Sequence, residues 1–203
     1  MNNILLIGAG GHARSCIDVL EVEKQFKISG LIEKVEPISK ENLGYPTIGI
    51  DNDLYDLRKK YKYALITVGQ IKSPEIRIKL YKLLKKLNFI LPIIISPYAY
   101  VSKHAQIGEG SIIMHGAIVN ANAIIGSNCI INNRALIEHD SRIGSHCHIA
   151  TSAIINGQVT IGSNTFIGSG TITKQCISIG ENCIISAGTI LKNNIKRDQI
   201  IKN

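Results

Sequence analysis

Residues 119–149 read VNANAIIGSNCIINNRALIEHDSRIGSHCHI, and within them an aliphatic residue returns at every sixth position: Val119, Ile125, Ile131, Ile137, Ile143 and Ile149. Outward from this stretch the series extends from Val101 to Leu191 without a change of register, and only Thr173 interrupts it. Four residues after most of the aliphatic positions comes a small one, as in Ala117, Ala123, Cys129, Ala135, Ser141 and Cys147. A period of six fits neither the 3.6 of a helix nor a plain two-residue alternation. Gly108, Gly126, Gly144, Gly162 and Gly180 recur at intervals of eighteen, each in an Ile-Gly pair. Three hexads therefore make one coil, and the expected object is a three-sided solenoid with coils about 4.8 Å apart.

The chain has 203 residues, 45% of them hydrophobic, which is enough for real cores in one or two domains. No run reaches the roughly 18 apolar residues of a membrane span. The opening MNNILLIGAGGHA has neither the basic start nor the cleavage site of a signal peptide, so no membrane partner and a cytoplasmic location are expected. The net charge of +8 comes with only 5% aromatics, and many lysines fall in amphipathic patterns before residue 90. That pattern reads as a solvated face and argues against nucleic acid as a partner. A positive potential also favours phosphorylated ligands. Cys129, Cys147 and Cys183 fill the small repeat position as compact buried groups.

Ahead of the repeat, Ile4 to Ile7 form an apolar run ending in GAGGHA, and RSCIDVLEVEKQF follows with helical spacing. ISGLIE reads as a second strand and brings Glu33 about twenty residues beyond the turn, a weak dinucleotide-type fingerprint built on Gly8, Gly10 and Ala13. YKYALITVG reads as a third strand, SPEIRIKLYKLLKKLN as a helix and FILPIII as a fourth strand. Alternating strands and helices imply a small Rossmann-like parallel sheet with helices. Pro97 marks the join, so residues 1–96 are expected as the α/β domain and residues 97–203 as the repeat domain.

The unbroken hexads resemble the hexapeptide-repeat acyltransferases, whose repeats wind into a left-handed parallel β-helix. IGAGGHA ahead of such a solenoid looks like the sialic acid O-acetyltransferase group, which includes the UDP-amino-sugar (bacillosamine-type) N-acetyltransferases. The resemblance implies an acetyl-coenzyme A-dependent acetyltransferase acting on the amino group of a nucleotide-linked amino sugar in bacterial surface-glycan synthesis. O-acetylation of a sialic-acid-like sugar is the alternative, because one base serves amine and hydroxyl alike. It implies further that Gly8, Gly10, Gly11, His12, Glu33, Lys34 and Gly69 bind the nucleotide sugar. The family commonly ends its second strand in two acids, and Glu33-Lys34 departs from that.

In the solenoid, IEHDSRIG resembles the family's active-site segment. Carried over residue by residue, His139 is the general base, Asp140 its carboxylate partner and Asn132 a polar group on the substrate side. His148, Gly157, Ala187 and Gly188 are then contacts to acetyl-coenzyme A. Imidazole suits a base at neutral pH, and a carboxylate behind it fixes the tautomer. A Gly157 N–H would suit a developing oxyanion. On frame position alone, His139 also reads as a hydrated turn residue between two acids. No HxxxH spacing points to zinc, and no metal is expected. His139 and His148, nine residues apart, suggest a site shared between neighbours and hence a homotrimer. A nicotinamide-dependent enzyme and a non-catalytic nucleotide-binding protein remain as rivals.

Overall fold

The computed structural model describes residues 1–34 and 41–202. The chain divides into two compact units, one of Met1–Gly69 with Glu75–Pro92 and one of Gln70–Pro74 with Ile93–Asn203.

The first unit begins with β1 (Asn2–Ile7), whose Ile4, Leu5, Leu6 and Ile7 are fully buried. A continuous apolar strand of this kind belongs in the middle of a parallel sheet covered on both faces. α1 (Gly11–Glu23), β2 (Phe26–Glu33), β3 (Glu41–Asn42) and β4 (Tyr45–Ile50) follow. Next come α2 (Leu54–Lys60), β5 (Tyr63–Ile66) and α3 (Glu75–Lys86). The sheet order is β3-β4-β2-β1-β5, parallel except for the antiparallel β3–β4 pair.

Two sequence expectations need correction. FILPIII is not a fourth strand of this sheet. Ile90 makes only an isolated bridge to Tyr63, because Pro92 has no N–H to continue a ladder. Ile94–Ile95 instead pairs with Ile112–Ile113 and is the first rung of the solenoid, one hexad earlier than expected. The strands that complete the sheet are β3 and β4, the latter hidden from pattern reading by Pro46 and Gly49.

The second unit stacks two-residue rungs into three parallel sheets, one per face of the coil. One face carries Leu136–Ile137, the next Arg142–Ile143 and the third His148–Ile149. The second residue of each pair faces inward, so Val119, Ile137, Ile155 and Thr173 stack in one buried column. Each rung repeats at the eighteenth residue, as in Ile137 on Ile155. The small positions do more than fill space. Cys129 Sγ donates to the Gly144 carbonyl at 3.1 Å and Cys147 Sγ to the Gly162 carbonyl at 3.2 Å. The hydrogen bond with Cys129, then burial, raises the Cys147 pKa well above 9.0, which keeps the thiol protonated and inert.

Corners follow a rule of their own. The second turn residue is left-handed at Asn122, Asn128, Arg134, Asp140, His146, Ser152 and Gln158, with φ between 56° and 61°. The glycine column at another position answers a close approach: a Cβ on Gly144 would lie 2.5 Å from the Ser163 nitrogen of the next coil. Ile200–Ile201 pairs with Ile184–Ile185 to make one more rung, reached through a shortened coil. Within it Arg197 Nε donates to Asp198 Oδ2 at 2.8 Å.

Candidate functional site

In the first unit, the glycine turn joins β1 to α1. Gly8 sits at φ +112°, and a Cβ there would come within 2.6 Å of the Val68 side chain. No side chain could occupy it. Gly10 caps α1 without any side-chain hydrogen bond, and around Gly10 and Gly11 there is open space. A helix N-terminus of this kind, opening on a glycine turn with space in front of it, is the arrangement that attracts an anion. Asn42 Nδ2 donates to the Ala9 carbonyl at 2.7 Å and holds the turn from behind, while Arg14 Nε donates to Asn42 Oδ1. Buried Arg77 donates to the Ile66 and Val68 carbonyls and so fixes the end of β5 next to Gly69.

Gly8, Gly10, Gly11, His12, Glu33, Lys34 and Gly69, expected together from the sequence, line one cleft of about 420 Å³. An adjoining hollow of about 120 Å³ shares Gly8, Lys34 and Val68 and adds Asp51 and Lys79, which sequence reasoning passed over. Burial raises the Asp51 pKa above 3.8, opposed by the charges of Lys79 and Lys34.

In the second unit, His139 and Asp140 form the corner between the Leu136–Ile137 and Arg142–Ile143 faces. The His139 side chain is 58% exposed, and its Nδ1 lies 2.8 Å from Asp140 Oδ2. Asp140 is held in turn by a residue that sequence reasoning missed: Asn122 Nδ2 donates to its Oδ1 at 2.6 Å. Asn122 stands eighteen residues before Asp140, so the coil period was the signal that could have found it. The His139 hydrogen bond, then that of Asn122, lowers the Asp140 pKa below 3.8, so the carboxylate stays ionised at neutral pH. An ionised Oδ2 accepts the proton of Nδ1 and leaves Nε2 as the basic nitrogen.

Gly157 lies one coil further on. A Cβ placed on it would meet His139 Nε2 at 2.8 Å, so the absence of a side chain gives the ring its place. Its carbonyl accepts the Cys176 N–H, and its own N–H meets no acceptor among the described residues. A basic nitrogen and an unused amide therefore sit together at this corner.

The other expected residues lie elsewhere on the coil. His148 is 7% exposed on the third face, with Nδ1 against the Gln70 carbonyl and Nε2 3.1 Å from Asn132 Nδ2. A carbonyl cannot donate, so Nδ1 carries the proton and Nε2 accepts from Asn132. Asn132 also accepts the Asn133 N–H. Ala187 and exposed Gly188 form the corner between the third and first faces, Gly188 at φ +72°. Among the described residues no cluster of three or more His, Cys, Asp or Glu converges, and no helix is long and apolar enough to cross a membrane.

Residues 3–84 match the family described as PglD N-terminal domain. Residues 104–139 and 140–175 match bacterial transferase hexapeptide (six repeats), and residues 158–193 the hexapeptide repeat of succinyl-transferase. The chain belongs to the hexapeptide-repeat acyltransferases. Its solenoid is accordingly a left-handed parallel β-helix. Among solved structures, the acyltransferase is similar to perosamine N-acetyltransferase from Caulobacter crescentus, a histidine-to-asparagine mutant in complex with CoA and GDP-perosamine. Identity is 28% and the TM-score 0.92, over 98% of this chain and 93% of that chain. It is also similar to the acetyltransferase domain of PglB from Neisseria gonorrhoeae in complex with acetyl coenzyme A. There identity is 27% and the TM-score 0.88, over 97% and 94% of the two chains. WeeI from Acinetobacter baumannii shares the fold at 22% identity and a TM-score of 0.87, over 100% and 97%. No curated protein matches the chain in sequence.

Proposed function

We propose that this acyltransferase moves an acetyl group from acetyl-coenzyme A to the amino group of a nucleotide-linked amino sugar, with His139 as general base. The observation that carries this reading is the Asn122–Asp140–His139 chain ending over Gly157. As the amine attacks the thioester carbonyl, Nε2 takes its proton and Asp140 stabilises the imidazolium. The Gly157 N–H supports the charge growing on the carbonyl oxygen. The C–S bond then breaks, and the leaving thiolate is protonated to free coenzyme A. Asn132 stands on the acceptor side, while His148, Ala187 and Gly188 belong to the wall along which the coenzyme lies. Because both His148 nitrogens are engaged within the chain, its contribution to that wall comes from the ring edge.

The glycine cleft takes the diphosphate, with Glu33 and Lys34 toward the ribose and base. Transfer to nitrogen is favoured over transfer to oxygen because the solved relatives of higher identity that carry an acceptor hold an amino sugar, GDP-perosamine. The reaction belongs to surface-glycan synthesis in the cytoplasm.

The working form is a homotrimer. Tyr100, Ile118, Leu136, Ile154, Ile172 and Ile190 stack outward along one face, and Tyr100 and Ile190 are 59% and 63% exposed. An apolar stripe of this length fits burial against further copies around a threefold axis. Light scattering at micromolar protein is expected to give three times the chain mass, and a monomer would end this part of the reading.

Incubation with acetyl-coenzyme A and a panel of UDP-, GDP- and CMP-linked amino sugars tests the activity. Free thiol should be released only with an acceptor that carries an amine. Release with hydroxyl acceptors alone, or tight NAD binding with no nucleotide sugar bound, would overturn it.

A further inference from the structure

The one polar residue in the inward aliphatic series is Thr173, and it stands beside the candidate site. At the other junctions along this face the residue after the inward position donates its N–H to the carbonyl of the inward residue one coil on. Asn120 donates to the Ile137 carbonyl, Glu138 to that of Ile155 and Lys174 to that of Leu191. Asn156 departs from this rule. Its N–H donates to Thr173 Oγ1 at 2.9 Å, and its side-chain Nδ2 takes the Thr173 carbonyl at 2.6 Å. The ladder between the two rungs keeps only the Ile154–Ile172 pair, where its neighbours keep two. From the coil before, Ser141 Oγ donates to the Asn156 carbonyl at 2.9 Å. Asn156 is thus gripped from both sides, and the next residue is Gly157, beneath the His139 ring.

Threonine has no advantage over valine in a buried column. The two have nearly the same shape, and a hydroxyl out of water costs stability unless it is bonded. Thr173 is fully buried and its hydroxyl is bonded to the turn. Departures from an otherwise consistent pattern are expected where function requires them.

We propose that Thr173, together with Asn156, is a positioning residue for acetyl transfer. By taking the Asn156 N–H on its hydroxyl instead of its carbonyl, Thr173 shifts the 156–157 peptide out of the regular ladder and sets the Gly157 amide against His139. This rests on the reading of His139 as base and of the Gly157 N–H as the oxyanion donor. Without the hydroxyl, Asn156 returns to the ordinary ladder bond and the Gly157 amide moves with it. A misplacement on the order of 1 Å costs up to about a hundredfold in rate.

The test compares Thr173→Val, Thr173→Ser and His139→Ala in one thiol-release assay with acetyl-coenzyme A and the preferred amino-sugar nucleotide. The valine variant is expected to lose about ten- to a hundredfold in kcat, with both KM values within about threefold of wild type and an unchanged or higher Tm. Serine, which keeps the hydroxyl, should restore kcat to within about threefold. Asn156→Ala, which removes only the Nδ2 hydrogen bond to the Thr173 carbonyl, tests the same grip if the valine variant fails to fold. It should lower kcat about tenfold at constant Tm. Wild-type kcat in the valine variant, with His139→Ala inactive, overturns the positioning role and leaves the base in place. Full activity in His139→Ala strikes the underlying reading instead. A serine variant as slow as valine, or a valine variant whose loss follows its Tm, reduces Thr173 to a packing residue and overturns the proposal.

Discussion

Replacing His139 by alanine is expected to lower turnover by roughly a hundredfold or more, the scale for losing a general base, and to leave the thermal midpoint where it was. The second half follows from position. The side chain is more than half exposed at a corner, outside the inward columns, so its loss opens no cavity. Asp140→Asn should lower kcat as well, because the uncharged amide cannot support an imidazolium. It should hardly disturb the fold, since Asp140 sits at φ 61°, a conformation asparagine adopts readily. The pH dependence has a sign. With its pKa held below 3.8, Asp140 contributes to stability at pH values above the ordinary carboxylate range, and that contribution is lost as pH falls through and below it. Acid inactivation near neutral pH would therefore not be the titration of this carboxylate. Steady-state kinetics of the variants against pH, with melting curves, checks these points. Wild-type turnover in His139→Ala removes the base from this corner.

Gly157→Ala is expected to be nearly as damaging, through the same ring. Its Cβ would fall 2.8 Å from His139 Nε2 and 2.9 Å from Cε1, closer than such atoms approach in practice. No positive φ is involved at this residue, so the backbone accepts alanine and the ring must yield. Moving the imidazole breaks its 2.8 Å contact with Asp140 and takes Nε2 away from the acceptor. A loss of about a hundredfold in kcat is expected, with the Tm within a few degrees of wild type. A variant of normal activity would mean that the ring works from another position. Gly170→Ala, in open space at a different corner but at φ +67°, should show the opposite pattern: some loss of stability from left-handed strain, with chemistry kept.

The solenoid was legible because its signal is redundant. Each inward position is repeated at every sixth residue, and a single exception such as Thr173 stands out against fifteen that agree. The α/β unit has no such redundancy. The apolar run at residues 89–95 has the composition of a strand, and only partner registry shows that Ile94 and Ile95 belong to the repeat. β4 carries a proline and a glycine that count against a strand, yet it pairs with β2. In the candidate site, His139 and Asp140 were visible as chain neighbours, whereas Asn122 and Thr173 act across coils. Their positions follow from the eighteen-residue period, but their roles do not, because hydrogen-bond direction depends on side-chain conformation. The partners of His148 were invisible for the same reason: Gln70 is seventy-eight residues away.

The period that stacks Asn122, Asp140 and Gln158 in one column also limits how such a chain can change in length. Inserting eighteen residues beyond Leu191 adds one storey to the prism, about 4.8 Å, and every column below keeps its face. Inserting six between His139 and Gly157 preserves the hexad pattern, and by composition alone the sequence would look as sound as before. Yet Gly157 would move to the next face, a third of a turn from the imidazole. A gap-tolerant reading of hexads cannot see the difference, while the proposed chemistry should respond to it as completely as to deletion of the histidine. Length variation in such proteins should therefore be counted in units of eighteen between active-site residues and left free only outside them.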